Sequence, residues 1–474
     1  MTTKFKLRSG FADRVDAVVR GMELVTDPHP PIVQPKVGPF RILHFCVPVI
    51  RAGNGFATSE GKCLMNFVKL LIGAILVAMA MALASEARAA PSTVDEAVPT
   101  TRQTDFQFGL DVGYDSNVAR SDRILAARRG LTLGDEITTP SFDITIARPL
   151  GRTMVFIKGV GNYDFHAINT RRDHENLDFS GGAGAHLATC QESLVGNYGR
   201  IQSDLTDLAA GVTNNTRENE DVKFTSACGK TIGLAPGFAV TQSWANNSAA
   251  QLRQIDSRSL TVDASLAYRR PILGSISIFG QYVDALYPHR TLVVLGQTLA
   301  GGYEVYTAGL RYERHVGTRI DTTLSISYTA LDPSAGSGSS FRGLTYSADL
   351  SYNLTSRIKA HASATRATVP SNRVFANYKI DDTYDADLSY MWGTRLTFKL
   401  LGSIASSEYR GGGAVARTVD LTQETLYSAT ASATYNLNKR WSLVLSGGDD
   451  ERRANFPGLS YSSTKATLGA TVKF

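Results

Sequence analysis

Charged residues in this chain recur at alternate positions of segments whose other positions are apolar. Asp263, for example, lies among Leu260, Val262, Ala264 and Leu266. Acidic and basic side chains that face each other across a wet pore set a transverse field that orients polar solutes. The alternative is that such charges pair with one another and stiffen a partly filled interior. The candidates for this lining are Asp111, Asp263, Arg311, Glu313, Asp349, Lys359, His361, Asp385, Asp387 and Lys399.

The histidines form no catalytic pattern, because six of them are scattered between residues 166 and 361 without a recognisable motif. The sequence also lacks Cys/His metal spacing, a phosphate-binding glycine loop and a Gly-x-Ser-x-Gly turn between a strand and a helix. We therefore predict a protein that is not an enzyme and that uses no cofactor and no metal. An enzymatic barrel is the alternative from another class.

The elements that would position the charges are β-strands. Phe106, Phe108 and Leu110 share one parity and polar residues share the other, and this alternation recurs along the chain. A period of two predicts strands with one dry face and one wet face. The final segment shows it to the last residue, since Leu468 and Phe474 lie at the same parity. A soluble edge strand that ends in Phe is the alternative interpretation.

The connections between these segments alternate between short turns and long polar stretches. The long stretches are 119–136, 288–302, 332–342, 370–378 and 410–423. This rhythm is typical of a barrel with tight turns at one end and loops at the other. We predict an all-β, antiparallel up-and-down transmembrane barrel of about eighteen strands, with sixteen or twenty as alternatives.

Aromatic residues recur just before the short turns, about forty residues apart. At the boundary of a membrane such rings form a girdle, because one edge is apolar and the other stays wet. A propeller could give the same period, although no blade signature is present. The residues concerned are Tyr268, Tyr312, Tyr352, Tyr390, Tyr435, Trp392 and Trp441.

The amino-terminal region predicts export. Residues 65–89 combine Lys69, an apolar run and small residues at a cleavage position, which is the pattern of a signal peptide. Residues 1–64 are interpreted as a non-structural extension that arises from a start-site error, with a regulatory extension as the alternative. Residues 90–104 would be a short periplasmic segment, and residues 105–474 the barrel.

Charge and cysteine content restrict the partners. Residues 1–89 hold 11 basic and six acidic residues, so the remainder has a net charge of +1 and gives no case for nucleic-acid binding. Cys190 and Cys228 are the two cysteines of the exported portion, and in an oxidising compartment they are a candidate disulfide. The strand assignment places them two strands apart, where the reach of the bond could forbid it.

Two short pieces carry a family resemblance: Gly113-Tyr114-Asp115-Ser116-Asn117-Val118 and Gly159-Val160-Gly161-Asn162-Tyr163-Asp164-Phe165. With the leader and the terminal Phe474, the chain resembles the putative β-barrel porin 2 family, outer-membrane barrels often associated with exopolysaccharide secretion. The resemblance implies an outer-membrane location and makes Phe474 the assembly signal.

The expected function is therefore passage of polar solutes, in particular of a secreted polysaccharide. A general diffusion porin and a structural or adhesive barrel are the alternatives. The expected partners are outer-membrane lipid and lipopolysaccharide, the barrel assembly machinery, periplasmic polysaccharide export proteins and a saccharide polymer. The arginines Arg120, Arg123, Arg128 and Arg129 of the first long stretch could gate an anionic polymer, bind lipid phosphates, or belong to a solvated loop.

Overall fold

The computed structural model describes residues 98–203, 214–229, 232–294, 297–333, 340–371, 376, 378–410, 421–456 and 458–474, with the backbone alone at 291–294, 297–300 and 370. The predicted extension, the signal peptide and the first half of the periplasmic segment lie outside these residues. No helix in the described ranges is long and apolar enough to cross a membrane.

Eighteen antiparallel strands dominate the described chain, as the alternation predicts. Each has 13 residues or more, which exceeds the about 9–11 residues that a tilted strand needs to span a bilayer. The strands are β1 Gln103–Asp115, β2 Asp135–Leu150, β3 Thr153–His166, β4 His174–Leu187, β5 Cys190–Gln202, β6 Thr216–Cys228, β7 Gly233–Asn247, β8 Ser257–Arg270, β9 Gly274–Val294, β10 Gln297–Val316, β11 Ile320–Pro333, β12 Phe341–Asn353, β13 Ile358–Pro370, β14 Tyr378–Trp392, β15 Leu396–Arg410, β16 Gln423–Asn436, β17 Trp441–Ala454 and β18 Tyr461–Lys473.

The sheet closes on itself. Every strand pairs with its sequence neighbours, and β1 pairs with both β2 and β18. At the seam Leu110 lies opposite Ala470 and Tyr114 opposite Ala466, so apolar residues of the two terminal strands share a face. Closure leaves no edge strand among the described strands, as a sheet within lipid requires. The predicted fold class and the predicted strand number are confirmed.

The two ends of the barrel differ as predicted. At one end, short turns contain glycines with positive φ, such as Gly151, Gly317 and Gly393, where a side chain would strain the backbone. The other end carries the longer connections, including a short helix α1, Arg123–Arg128, and two 3-10 helices, Thr170–Arg172 and Ala250–Ile255. Short turns mark the periplasmic end of an outer-membrane barrel and loops mark its extracellular end.

One predicted loop is wrong. The stretch 288–302 was expected to be a polar loop, but β9 and β10 continue through it as a long hairpin. Gly301 pairs with Tyr287 whereas Ala300 pairs with Thr291, so Pro288 lies in a bulge. A proline is tolerated there because the bulged residues make no ladder hydrogen bond.

The outer face carries the apolar belt and aromatic boundary of a membrane protein. Leu310, Ile326 and Leu445 are exposed at mid-height. Tyr268, Tyr390, Tyr435, Trp392 and Trp441 of the predicted girdle are exposed near the short turns. A second set that the sequence reading did not identify lies toward the loops: Tyr114, Tyr306, Tyr328 and Tyr384. Lipid tails contacting the belt and headgroups contacting both aromatic sets account for this exposure.

Cys190 and Cys228 form a disulfide in the structure. The expected separation of two strands is wrong, because Cys190 begins β5, Cys228 ends β6, and the two residues lie directly opposite in the ladder. Their sulfurs, together with Glu192, are the one grouping of metal-ligand type in the described chain, and the bond between the sulfurs leaves no thiolate to bind a metal.

Removing this disulfide should lower the stability of the barrel. The bond closes a segment of 38 residues, and the chain-entropy argument gives such a cross-link about 3–4 kcal/mol. We expect Cys190→Ser/Cys228→Ser to unfold at a lower temperature than the oxidised protein in detergent, as measured by loss of gel mobility shift. Dithiothreitol should lower the wild-type transition and leave the double variant unchanged, and an equal response of both proteins would contradict the prediction.

Candidate functional site in the barrel lumen

The strand register sets which side chains face the interior. In each strand, the predicted lining residues alternate with the exposed apolar side chains. Asp111 follows Leu110, Arg311 follows Leu310, and Asp385 follows Tyr384, so each points to the other face of the sheet. Residues directly opposite each other in neighbouring strands point to the same face of the sheet. The assignment of inward positions therefore extends from strand to strand around the barrel. All ten predicted positions fall at inward parity by this rule.

Four of the ten lie in one continuous row across neighbouring strands. The imidazole of His361 lies between two carboxylates, with its Nε2 2.7 Å from Asp349 Oδ2 and its Nδ1 3.2 Å from Asp387 Oδ2. Lys399 Nζ lies 3.9 Å from Asp387 Oδ1 on the next strand. We call Asp349, His361, Asp387 and Lys399 the charged row; it spans β12 to β15. Its two outer members, Asp349 and Lys399, are half-exposed.

The other six predicted residues are not part of this row. Asp385 lies one inward position further along β14 and accepts a hydrogen bond from Ser363 at 3.2 Å. Asp263 accepts one from Gln281 at 2.8 Å. Asp111 lies at the seam, where it faces Gly469. Glu313 and Lys359 lie near the short-turn end of the barrel. Arg311, on β10, lies on another part of the barrel wall.

A basic wall lies across the lumen from the charged row. The basic wall consists of Lys158, Lys223 and Arg311. These residues line a cavity of ≈ 580 Å³ whose lining residues lie on strands β3 to β10. The middle of this wall is seven strands from the middle of the row, in a closed sheet of eighteen. Arg311 lies five residues before the end of β10 and Asp387 five residues before the end of β14, so the two sets lie at similar height.

Lys158 and Lys223 were missed from the sequence. Polar residues at outward parity on β5 and β6, such as Arg200, Gln202 and Glu220, blur the apolar alternation there, so the inward parity of Lys223 could not be assigned. A signal was available for Lys158, since it follows Ile157, which is exposed on the outer face. Two aromatic rings beside these cations also face inward. Lys158 Nζ lies 5.6 Å from the ring centroid of Phe156, and Arg311 Cζ lies 5.0 Å from that of Phe279.

The first long connection folds over the extracellular mouth. Asp122 caps α1 by accepting a hydrogen bond from the backbone of Leu125 at 2.7 Å. Ala126 belongs to an apolar cluster with Leu252 and Ile255 of the β7–β8 connection. Leu125 belongs to a second cluster that includes Leu421 and other residues near the ends of β13 to β18.

The positions of these partners require the loop to cross the lumen. Eighteen strands about 4.8 Å apart and tilted by about 40° enclose a barrel about 36 Å across. Six of eighteen strands separate β1 from β7, one third of the circumference, which corresponds to about 30 Å across the mouth. The helix contributes to clusters on this side and on the β13–β18 side of the mouth, so it lies above the lumen and not against one wall.

The four arginines of this loop have different environments. Arg120 forms an ion pair with Asp115 at 2.7 Å and lies 5.7 Å from the ring centroid of Tyr461. Arg129 is buried and its Nη1 donates to the carbonyl of Ala119 at 3.4 Å. These two hold the loop together. Arg123 and Arg128 are exposed on α1, so they are the pair for which a ligand-binding role stays a prediction.

The periplasmic end of the lumen is narrowed by the chain itself. Val98, which precedes β1, is buried in a cluster with Ala147, Phe156 and Val195, three residues at inward parity. Gly184 faces the same valine so closely that an added Cβ would lie 2.9 Å from Val98 Cγ1. Glycine at this position therefore makes room for the valine on the lumen wall.

Residues 300–474 match the family described as Putative beta-barrel porin 2. No curated protein sequence matches. Among solved structures, similarity extends to the outer membrane protein OpdK from Pseudomonas aeruginosa, with 9% identity and a TM-score of 0.41 over 78% of this chain and 99% of that chain. OccAB3 from Acinetobacter baumannii gives 10% identity and 0.41 over 78% and 100%. The alcaligin outer membrane receptor FauA from Bordetella pertussis gives 11% identity and 0.38 over 79% and 76%.

Proposed function

We propose that this protein, a bacterial outer-membrane β-barrel whose residues 300–474 match Putative beta-barrel porin 2, is a channel for polar solutes with an extracellular mouth restricted by its own first loop. The observation that carries the proposal is the position of α1 above a lumen lined by charges. A barrel that only anchors or adheres needs neither a wet charged interior nor a loop packed across it.

The charges favour passage of polar solutes over a filled interior. The charged row and the basic wall lie at similar height on nearly opposite sides, so their field runs across the path of a solute. The row pairs internally, but Asp349 and Lys399 remain half-exposed and able to contact a solute. Hydroxyl and carboxylate groups of a solute would exchange hydrogen bonds with water for hydrogen bonds with the wall.

The finer proposal is that the solute is a polysaccharide on its way out of the cell, handed over by periplasmic or inner-membrane partners. A loop across the mouth suits a secretion channel, because such a channel must stay closed when no polymer is present. Lipopolysaccharide and lipid would contact the outer belt, and the assembly machinery would insert the barrel. This finer proposal rests on the restricted mouth and on the family resemblance.

The test is single-channel recording of the refolded chain from Ala90 onward in a planar bilayer. We expect rare or small openings, and block of the open current by saccharides such as maltotriose or trigalacturonate. Large steady conductance that is insensitive to both sugars would favour a general diffusion porin. A barrel that inserts with the correct topology but never conducts, even after the loop has been removed, would overturn the channel proposal.

Neutralising the charged row should change ion selectivity. Asp349→Asn/Asp387→Asn removes two carboxylates that face the lumen, so cations lose attraction relative to anions. We expect the reversal potential in a KCl gradient to move toward the chloride equilibrium potential. Asp382→Asn is the matched control, because this carboxylate lies at outward parity on β14 and pairs with Arg366 at 3.1 Å. An equal shift in both variants would show that the row does not line the ion path.

A further inference from the structure

We propose that the basic wall is a binding site for a polar solute that carries at least two acidic groups, such as an acidic saccharide segment. The proposal rests on the proposed channel function and adds the position and the charge class of the ligand. It assigns Lys158, Lys223 and Arg311 as the groups that bind the acidic groups. Asn197, Ser180 and Thr225 line the same cavity and provide amide and hydroxyl groups for the rest of the solute.

The charge balance of the cavity favours an anion. Among the described residues that line it are three cationic side chains and one carboxylate, that of Asp263. Gln281 donates a hydrogen bond to this carboxylate at 2.8 Å, which satisfies one of its oxygens without a cation. Within the described residues Lys158 and Lys223 have no ion-pair partner, in contrast to Lys399 and Lys465, which each contact an aspartate. A ligand carboxylate would supply the missing counter-charge.

The cavity also has the size and the surfaces of a solute site. Its volume of ≈ 580 Å³ lies within the range of about 300–1,000 Å³ typical of small-molecule sites. Lys158 Nζ lies 5.6 Å from the ring centroid of Phe156 and Arg311 Cζ lies 5.0 Å from that of Phe279, and these cation–π contacts limit the positions of the cationic groups. Cations restrained in this way lose less conformational freedom when a ligand binds.

The three cations are on strands β3, β6 and β10, so they are spread along the wall and do not form a single point of charge. A ligand with one acidic group can approach only part of this set. A ligand with several acidic groups along its length can contact more than one cation at the same time, which raises its affinity through effective concentration. The site therefore discriminates by the number and spacing of charges.

The test compares trigalacturonate, which carries three carboxylates, with the neutral maltotriose, by calorimetric titration of the purified barrel in detergent. We expect trigalacturonate to bind at least tenfold more tightly. Lys158→Gln/Lys223→Gln should weaken trigalacturonate by about tenfold for each charge removed and leave maltotriose unchanged. Lys158→Arg/Lys223→Arg keeps both charges and should retain the preference, which separates loss of charge from loss of fold.

The matched control is Arg395→Gln/Lys439→Gln, which removes two positive charges from the short turns, outside the lumen. It should bind trigalacturonate as the wild type does. Equal affinity of the wild type for both sugars, or an equal loss in the control and in the lumen variant, would overturn the proposed site. Because binding is measured without current, a barrel that binds trigalacturonate but never conducts would refute the channel function and leave the site standing. A barrel that conducts but binds both sugars equally would refute the site and leave the channel function standing.

Discussion

Shortening the first loop should raise the conductance of the barrel several-fold. We expect this result when residues 121–130, which include α1, are replaced by a short Gly/Ser turn. The helix lies above the lumen because it packs on connections from both sides of the mouth, and its removal opens the path from the charged interior to the outside. The measurement is the mean unitary current in a planar bilayer under the conditions used for the wild type.

A single substitution offers a sharper version of this test. Leu125 is 9% exposed within the cluster at the β13–β18 side, whereas its neighbour Ile124 is 66% exposed. Burial of a leucine is worth about 2 kcal/mol, so Leu125→Ser should shift the ratio of docked to undocked loop by a factor of about 30. Ile124→Ser changes the same helix without removing a buried contact and should keep the wild-type current.

If the loop-shortened protein and Leu125→Ser both insert and conduct as the wild type does, α1 does not lie on the conduction path. If Ile124→Ser raises the current as much as Leu125→Ser, the effect comes from helix propensity and not from docking. Folding of each variant is verified by its gel mobility shift before and after heating.

The barrel could be predicted because its signal is local and repeated. Most strands show the alternation within their own residues, and the terminal segment shows it up to Phe474. The number of strands follows from counting these segments, and the parity of Asp349, His361 and Asp387 follows from their apolar neighbours. No long-range contact had to be known for any of these inferences.

The parts that could not be predicted depend on contacts between residues far apart in sequence. Leu125 packs with Leu421, and nothing in either segment alone indicates the other. Likewise, nothing in the sequence around Val98 or Gly184 indicates that these two residues lie against each other. The continuation of β9 and β10 through residues 288–302 was missed for a local reason. Pro288 and the polar residues near it predict a loop unless a bulge accommodates the proline. Lys223 of the basic wall was missed because polar residues at outward positions of β5 and β6 blur the alternation.

The charge pattern also links the two proposals about the lumen. The charged row alternates acid and base and so satisfies much of its own charge, while the basic wall is short of carboxylates. A solute with several acidic groups would therefore be drawn to one side of the path and held there. The loop above both walls would then determine when such a solute leaves, which is the order of events that a secretion channel requires.

Replacing Phe474 should reduce the amount of barrel in the outer membrane far more than it reduces stability. The ring is 66% exposed to the lipid side, its edge lies against Phe108 with 6.1 Å between ring centroids, and its backbone N–H donates to the carbonyl of Phe106 at 2.8 Å. Phe474→Ala retains the backbone hydrogen bond at the seam and loses the ring contact, worth about 0.5–1.5 kcal/mol. Refolding in detergent should therefore be close to that of the wild type.

In cells the same variant should be depleted severalfold from the outer membrane, if the terminal aromatic residue is the signal that the assembly machinery reads. Leu468→Ala is the matched control, because Leu468 is on β18, at the same parity as Phe474 and 59% exposed. Its loss removes a similar apolar side chain from lipid without touching the carboxyl terminus. Membrane levels from fractionation and immunoblotting, compared with refolding yields in vitro, separate the two effects. Equal levels of the two variants in cells would show that Phe474 contributes apolar surface to the belt and no assembly signal.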